Sequence, residues 1–363
     1  MGKYSKETPK PKKRMPLFLK IILVILLVMI LLAGAVVWFL WAKLDLIQFE
    51  NEIDNSVYHT EPAQDSTTEP EDEEEGQLVD ISGLEMVETA PPIPELEVFD
   101  EENVLNILLI GTDERTKEFN VSARSDSMIL VSIDRAKNTV KLVSLERGVA
   151  APVLEGKYEG QYDWLTHIFR YGGSELLTKT VEHMFKIDVD HYVRVNFHSV
   201  RQVVDAIGGI EVDLTQNEAW YLNLGLKDGQ ERLKSGVNHL NGATALSYAR
   251  LREIDSDWQR VGRQRKVILA VVDKLKGSNL TELNNLADTV LPLIQTNLSK
   301  IEIAELVLYA PNFLSAEFDQ MTMPQPGTYG GMDIMGGKVG FAIDYEVNLP
   351  ILHEFLYGTE ENE

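Results

Sequence analysis

The chain has 363 residues, a formal net charge of −23 at neutral pH and no cysteine. That excludes a disulfide framework, a zinc–thiolate site and a cysteine nucleophile, and seven scattered histidines without an HExxH pair argue against a zinc hydrolase. The length leaves room for one or two domains and a sizeable core.

Residues 1–20 carry Lys3, Lys6, Lys10, Lys12, Lys13, Arg14 and Lys20 against Glu7 alone. Ile21 to Ala42 follow without a charge. As a helix, 22 residues measure roughly 33 Å, enough for a hydrocarbon core of about 30 Å. Trp38 and Trp41 sit where an outer aromatic belt belongs, and the basic flank is expected to stay in the cytoplasm, which puts the C-terminal bulk outside. A cleaved signal peptide is the rival reading, but the apolar run is long for one and no small-x-small site follows it. The expectation is a single-pass anchor in the cell membrane, with residues 1–20 cytoplasmic. Residues 50–102 hold nineteen acids and no Lys or Arg. Such a stretch repels itself and buries little, so 43–102 reads as an acidic extracellular linker.

From Asn103 the pattern changes. VLNILLIG (104–111) is an apolar run ending in glycine, as in a buried strand. SMILVSID (127–134) and TVKLVSL (139–145) read as two strands joined by a polar turn. SELLTKTVEHMF (174–185) has helical periodicity after Gly172-Gly173; HYVRVNF (191–197) reads as a strand, HSVRQVVDAIGG (198–209) as a helix closed by glycine, and IEVDL (210–214) as a strand. LNGATALSYAR (240–250) and Trp258 to Lys276 read as helices. FLSAEFDQM (313–321) and GFAIDY (340–345) read as strands and NLPILHEFLYG (348–358) as a closing helix. The glycine-rich run 330–340 reads as a flexible surface loop; it lacks P-loop spacing and the Ser/Thr after Lys338. Alternating strands and helices predict one α/β domain, 103–363, with helices on both sheet faces.

Charged residues stand at three strand ends: GTDER (111–115), ARSDSM (123–128) and SLERG (144–148), where α/β sheets build their sites. Asp113 and Asp126 could converge as a carboxylate pair for Mg²⁺, which favours hard oxygen ligands together with phosphate. Arg115, Arg124 and Arg147 would add positive charge beside them. Singly, each acid also reads as a turn or capping residue. Tyr248 to Lys266 holds six bases against three acids in an acidic chain. Arginine forks grip phosphate oxygens in pairs, and Arg260, Arg263 and Gln264 fall at i, i+3 and i+4 on one helix face. A helix with a solvated basic face is the plainer reading. A nucleic-acid partner is disfavoured: from Asn103 the chain has 26 bases against 36 acids, a net of −10, without a broad basic surface.

These motifs resemble the LytR-CpsA-Psr (LCP) glycopolymer ligases of Gram-positive bacteria, in order from about Asn106 to Arg265. The family's NILLxGxDxR falls on Asn106 to Arg115, its RSD on Arg124-Ser125-Asp126, its Ser-x-PRD on Ser144 to Gly148, and its AyxxGG on Phe169 to Gly173. Its GGVxV segment falls on Asn196 to Val212, and its YaRxR…DsDxxRxxRQ on Tyr248 to Gln264. The resemblance implies an LCP-type α/β/α domain with a mixed central sheet. It also implies a phosphotransferase that moves a glycopolymer from an undecaprenyl-pyrophosphate carrier to a peptidoglycan sugar hydroxyl. On that reading Asp113 and Asp126 hold Mg²⁺, while Arg115, Arg124, Arg147, Arg250, Arg252, Arg260, Arg263 and Gln264 hold the pyrophosphate. Arg124, Arg147 and Arg252 are the catalytic candidates, with Asp257 as orienter or base for the acceptor hydroxyl or else as an ion-pair partner. Helices at 174–185 and 198–207 are candidates for lining the prenyl tail's channel or for plain core. The chain departs from the pattern twice: PRD is Glu146-Arg147-Gly148, and the lysine expected after Asp163 is Trp164. The alternative is a weakened homologue that binds polyprenyl pyrophosphates or hydrolyses them without transfer.

Overall fold

In the computed structural model, residues 44–49, 82–114, 119, 123–227, 229–276 and 286–358 are described. The chain divides into two compact units, Met1–Asp45 and Leu46–Glu363. The expected anchor at 21–42, the basic tail and residues 50–81 lie outside the described residues. Among the described residues no helix is long and apolar enough to cross a membrane.

The second unit is built on a seven-stranded sheet in the order β1-β10-β7-β2-β3-β4-β11. The strands are β1 (Gln48–Phe49), β2 (Val104–Thr112), β3 (Ser125–Asp134), β4 (Thr139–Leu145), β7 (His191–Asn196), β10 (Gln295–Thr296) and β11 (Glu317–Met323). The sheet is mixed: β2–β3 and β3–β4 are antiparallel, whereas β2–β7 and β4–β11 are parallel. Period-2 alternation sends Leu108, Ile110, Met128 and Leu130 to one face and Leu109, Ile129, Val131 and Ile133 to the other. Helices α1 (Leu165–Phe185) and α7 (Tyr345–Tyr357) cover the first face; α5 (Asp257–Leu275) and α6 (Lys300–Ser315) cover the second. The expected arrangement of helices on both faces is what forms. Leu108, Ile110 and Leu130 are completely buried, each contributing about 1.5–3 kcal/mol. A satellite core joins α2 (Phe197–Ala206), β8 (Ile210–Leu214), α3 (Gln216–Gly225), β9 (Gly236–Leu240) and α4 (Gly242–Arg250) to the middle of α5 through Val267.

These directions bring the C-terminal ends of β2, β4, β7 and β11 and the N-terminal end of β3 to one edge of the sheet. At Gly111 a Cβ would stand 2.9 Å from Ser127 Cβ, so glycine is what lets β2 and β3 close at the bulge that ends their pairing.

Four expectations change. The helix expected at 174–185 starts at Leu165 and bends at the glycine pair, where Gly173 has φ of 66°. Its apolar residues Leu176, Leu177, Val181 and Met184 pack in the main core. The strand expected at 313–321 is Glu317–Met323, because α6 runs on to Ser315 with Phe313 packed against the sheet. The expected loop at 330–340 is instead a hairpin, β12 (Tyr329–Ile334) and β13 (Lys338–Ile343). Its glycines serve close packing: a Cβ on Gly330 would lie 2.6 Å from the Glu85 carbonyl, and one on Gly340 2.9 Å from Ala150 Cβ. The segment 82–102, assigned to the linker, lies on the folded body. Val87 N donates to Gly331 O at 2.8 Å, Phe99 N to Lys186 O at 2.9 Å, and Phe99 stacks on Tyr357 at 4.8 Å. Leu84, Ile93 and Phe99 are the apolar anchors, and they are masked when composition is averaged over the acidic stretch.

Candidate active site

The residues at the shared sheet edge rest on a fixed base. Ser125 Oγ donates to Thr166 O at 3.1 Å, Thr166 Oγ1 to Ser125 O at 3.0 Å, and Thr166 N to Arg147 O at 3.2 Å. The start of β3, the end of β4 and the start of α1 are thereby tied at the point from which Asp126 and Arg147 emerge. Both hydroxyls in this base are fully buried, where such bonds are costly to leave unmade.

Arg147 is the centre of the cluster. Its Nε donates to Asp257 Oδ2 at 2.6 Å, and its Nη1 to Asp126 Oδ1 at 3.3 Å. Arg260, one turn into α5, donates from Nη2 to the same Asp257 Oδ2 at 3.2 Å. Both guanidiniums are nearly buried, at 6% and 4% exposure. Burial works against ionisation of Asp257, but Arg260 and Arg147 outweigh it and hold the carboxyl below its usual range. Asp257, a candidate orienter or base, therefore stands as the carboxylate shared by two guanidiniums. Asp113 takes Arg124 twice: from its backbone N at 3.0 Å on Oδ1 and from Nε at 2.9 Å on Oδ2. Burial, then the charge of Asp126, push the Asp113 carboxyl up against the pull of Arg124. The two acids thirteen positions apart are thus close enough to repel.

The remaining candidates divide. Ser127 Oγ donates to Gln264 Oε1 at 2.9 Å, which joins β3 to α5. Arg252 lies half-buried on the loop between α4 and α5, its backbone N donating to Glu253 Oε2 at 3.0 Å. Arg250 is exposed, with its guanidinium 4.4 Å from the Phe197 ring centre; Phe197 N donates to Glu114 O, next to Asp113. Arg263 is turned away and buried. It donates to Glu218 Oε1 at 2.8 Å, to Leu251 O at 2.6 Å and to Asp255, so it fastens the 251–255 loop to α3. Arg115 lies outside the described residues.

The LytR_cpsA_psr family pattern matches residues 55–344. The chain belongs to this family. Among curated relatives, the teichoic acid transferase TagT of Bacillus subtilis is 33% identical over 221 residues, 60% of this chain and 67% of the relative. A TagU of Bacillus cereus is 32% identical over 56% of this chain and 63% of its own length. Both are named as polyisoprenyl-teichoic acid–peptidoglycan teichoic acid transferases. A structure of TagT bound to LI-WTA superposes with a TM-score of 0.56 at 28% identity, covering 70% of this chain and 90% of that one. Bacillus subtilis TagV does so with a TM-score of 0.55 at 26% identity, covering 72% and 100%.

Both departures from the LCP pattern have structural counterparts. Where the pattern has a lysine after Asp163, Lys338 of β13 reaches Asp163 instead. Its Nζ lies 2.6 Å from Asp163 Oδ1 and 4.5 Å from the Trp164 ring centre. Asp163 also meets Tyr171 OH at 2.6 Å and His167 Nδ1 at 3.1 Å. Burial opposes its charge, yet these bonds hold the carboxyl far below its usual range. The acid absent at Gly148 has a neighbour in Glu146, which sequence reasoning did not assign to the site. Glu146 is 1% exposed, its backbone N donates to Met323 O at 2.8 Å, and its carboxyl lies within interaction range of that of Asp257. Its only signal in the sequence is an acid at the end of an apolar strand, in the pattern's proline position.

Proposed function

We propose that this chain is an extracytoplasmic, membrane-anchored phosphotransferase. It moves a glycopolymer from a polyprenyl-pyrophosphate carrier to a peptidoglycan sugar hydroxyl. The supporting observation is Arg147, which joins Asp126 and Asp257 and so gathers the ends of β3, β4 and α5 into one charged cluster. Phosphoryl transfer asks mainly for positioning and for charge neutralisation on phosphate oxygens, and guanidinium forks in a water-poor site supply both. Of Arg124, Arg147 and Arg260, Arg124 is the most open to an incoming diphosphate, at 37% side-chain exposure. Arg147 and Arg260 would meet it from the buried side. Family membership and the relatives' names support the substrate class.

The donor set fits Mg²⁺. Among the described residues no group of three or more His, Asp or Glu could hold a metal, but Mg²⁺ is often bound by one or two carboxylates with substrate phosphates and water. Asp113 and Asp126 are two hard oxygen donors whose mutual repulsion a cation would relieve. Bound there, Mg²⁺ would neutralise charge on the diphosphate.

The test uses the full chain in detergent with Mg²⁺, a polyprenyl-pyrophosphate-linked glycan and peptidoglycan strands. Polyprenyl phosphate should be released only when the acceptor is present. Arg124→Ala and Arg252→Ala should each slow release by about 10²-fold or more. Equal release without acceptor would assign hydrolysis instead, and binding without release would assign a non-catalytic binder.

A further inference from the structure

Two carboxyl groups can be hydrogen-bonded only if one of them keeps its proton. Glu146 and Asp257 are within reach of such a bond. Asp257 accepts from Arg147 and Arg260, two cationic donors that favour its charged form. Glu146 Oε2 is buried and accepts no hydrogen bond among the described residues, which disfavours its charged form. The proton therefore belongs to Glu146. The groups facing it are Arg147, next to it just past the end of β4, Asp257 and Arg260 from α5, and Tyr329 from β12; Asp126 of β3 stands behind Arg147. Arg147 and Arg260, whose charges oppose each other, balance Asp126 and Asp257 only while Glu146 is neutral.

We propose that Glu146 is a positioning residue that sets the charge of the pyrophosphate site: its proton, donated to Asp257, keeps a further negative charge away from the two guanidiniums that attract a diphosphate. Loss of that proton puts a second carboxylate against the same two guanidiniums and weakens anion binding. Burial, reinforced by the charge of Asp257, pushes the Glu146 carboxyl up to about 8, so the change falls just above neutrality. This inference rests on the pocket binding a pyrophosphate, as in the function proposed above, but not on transfer taking place.

The experiment measures farnesyl pyrophosphate binding to the full chain in detergent from pH 6 to 9.5, with wild type and Glu146→Gln in parallel. Taking the ratio of the two dissociation constants removes the ligand's own titration. The ratio of wild type to variant should rise at least about tenfold across the range, the effect of one unit charge beside the ligand. A ratio that stays flat while both proteins bind overturns the role of Glu146 and leaves the pocket assignment standing. Absence of binding by wild type at every pH overturns both. Should Glu146→Gln not fold, infrared spectra of the wild type decide. A protonated-carboxyl stretch present at pH 7 and lost by pH 9.5 supports the inference; its absence at pH 7 overturns it.

Discussion

Asp257 is the residue on which the pocket's charges meet. Removing it as Asp257→Ala leaves Arg147 and Arg260 buried against each other without their shared carboxylate. Breaking a buried pair from one side costs about 3–5 kcal/mol, and denaturant titration should show a loss of that size. A loss below about 1 kcal/mol would mean that the two guanidiniums find other partners. Glu146 acts in the opposite sense. In the folded chain it keeps its proton up to about pH 8, whereas the ordinary value is 4.5. Between these the unfolded state binds fewer protons, so stability falls as pH rises through that window and levels off above it. Glu146→Gln stays neutral throughout. Its melting temperature should exceed the wild type's by several degrees at pH 8, with the gap closing towards pH 4.5; calorimetry at the two pH values checks this. At this scale much of the site was legible, because Asp113, Arg124, Asp126 and Arg147 all stand at strand ends that the sheet brings to one edge. Glu146 was not, since nothing local tells a buried acid beside a distant carboxylate from a strand-end cap. The same holds for Lys338 and Asp163, which meet across a separation of 175 residues.

At the scale of elements, helix α5 sets the geometry. Asp257 and Arg260 occupy its first turn at the pocket, while Val267, Ile268 and Leu269 fix its middle on both the satellite core and the sheet. That division between a charged start and an anchored middle is readable from spacing alone, and the observed Asp257–Leu275 differs by one residue at each end from the predicted helix. The β12–β13 hairpin was hidden for the opposite reason. Its glycines are needed where the 84–87 segment and β5 (Ala150–Pro152) press on it, and glycine density alone reads as a loop. Gly330→Ala should push the Glu85 carbonyl away and loosen the Glu85–Gly331–Val87 bonds. Limited proteolysis should then cut within 82–102 at lower protease concentration than in wild type; an unchanged digestion pattern would show that the strap does not depend on this contact.

For the whole molecule, the decisive property is charge contrast. A domain with a net charge of −10 from Asn103 onward collects Arg124, Arg147 and Arg260 at one edge of its sheet, Arg124 held by Asp113 and both Arg147 and Arg260 by Asp257. Such a molecule repels polyanions in general and accepts a phosphate only where the forks are concentrated. The central claim is that this edge is where the diphosphate reacts. It is tested most directly by the acceptor-dependent rate of polyprenyl phosphate release from Arg147→Lys, measured beside wild type on protein of matched thermal stability. Lysine keeps the charge but loses the planar fork that spans Asp126 and Asp257. The rate should fall by about 10²-fold or more; a rate within about twofold of wild type would contradict the assignment.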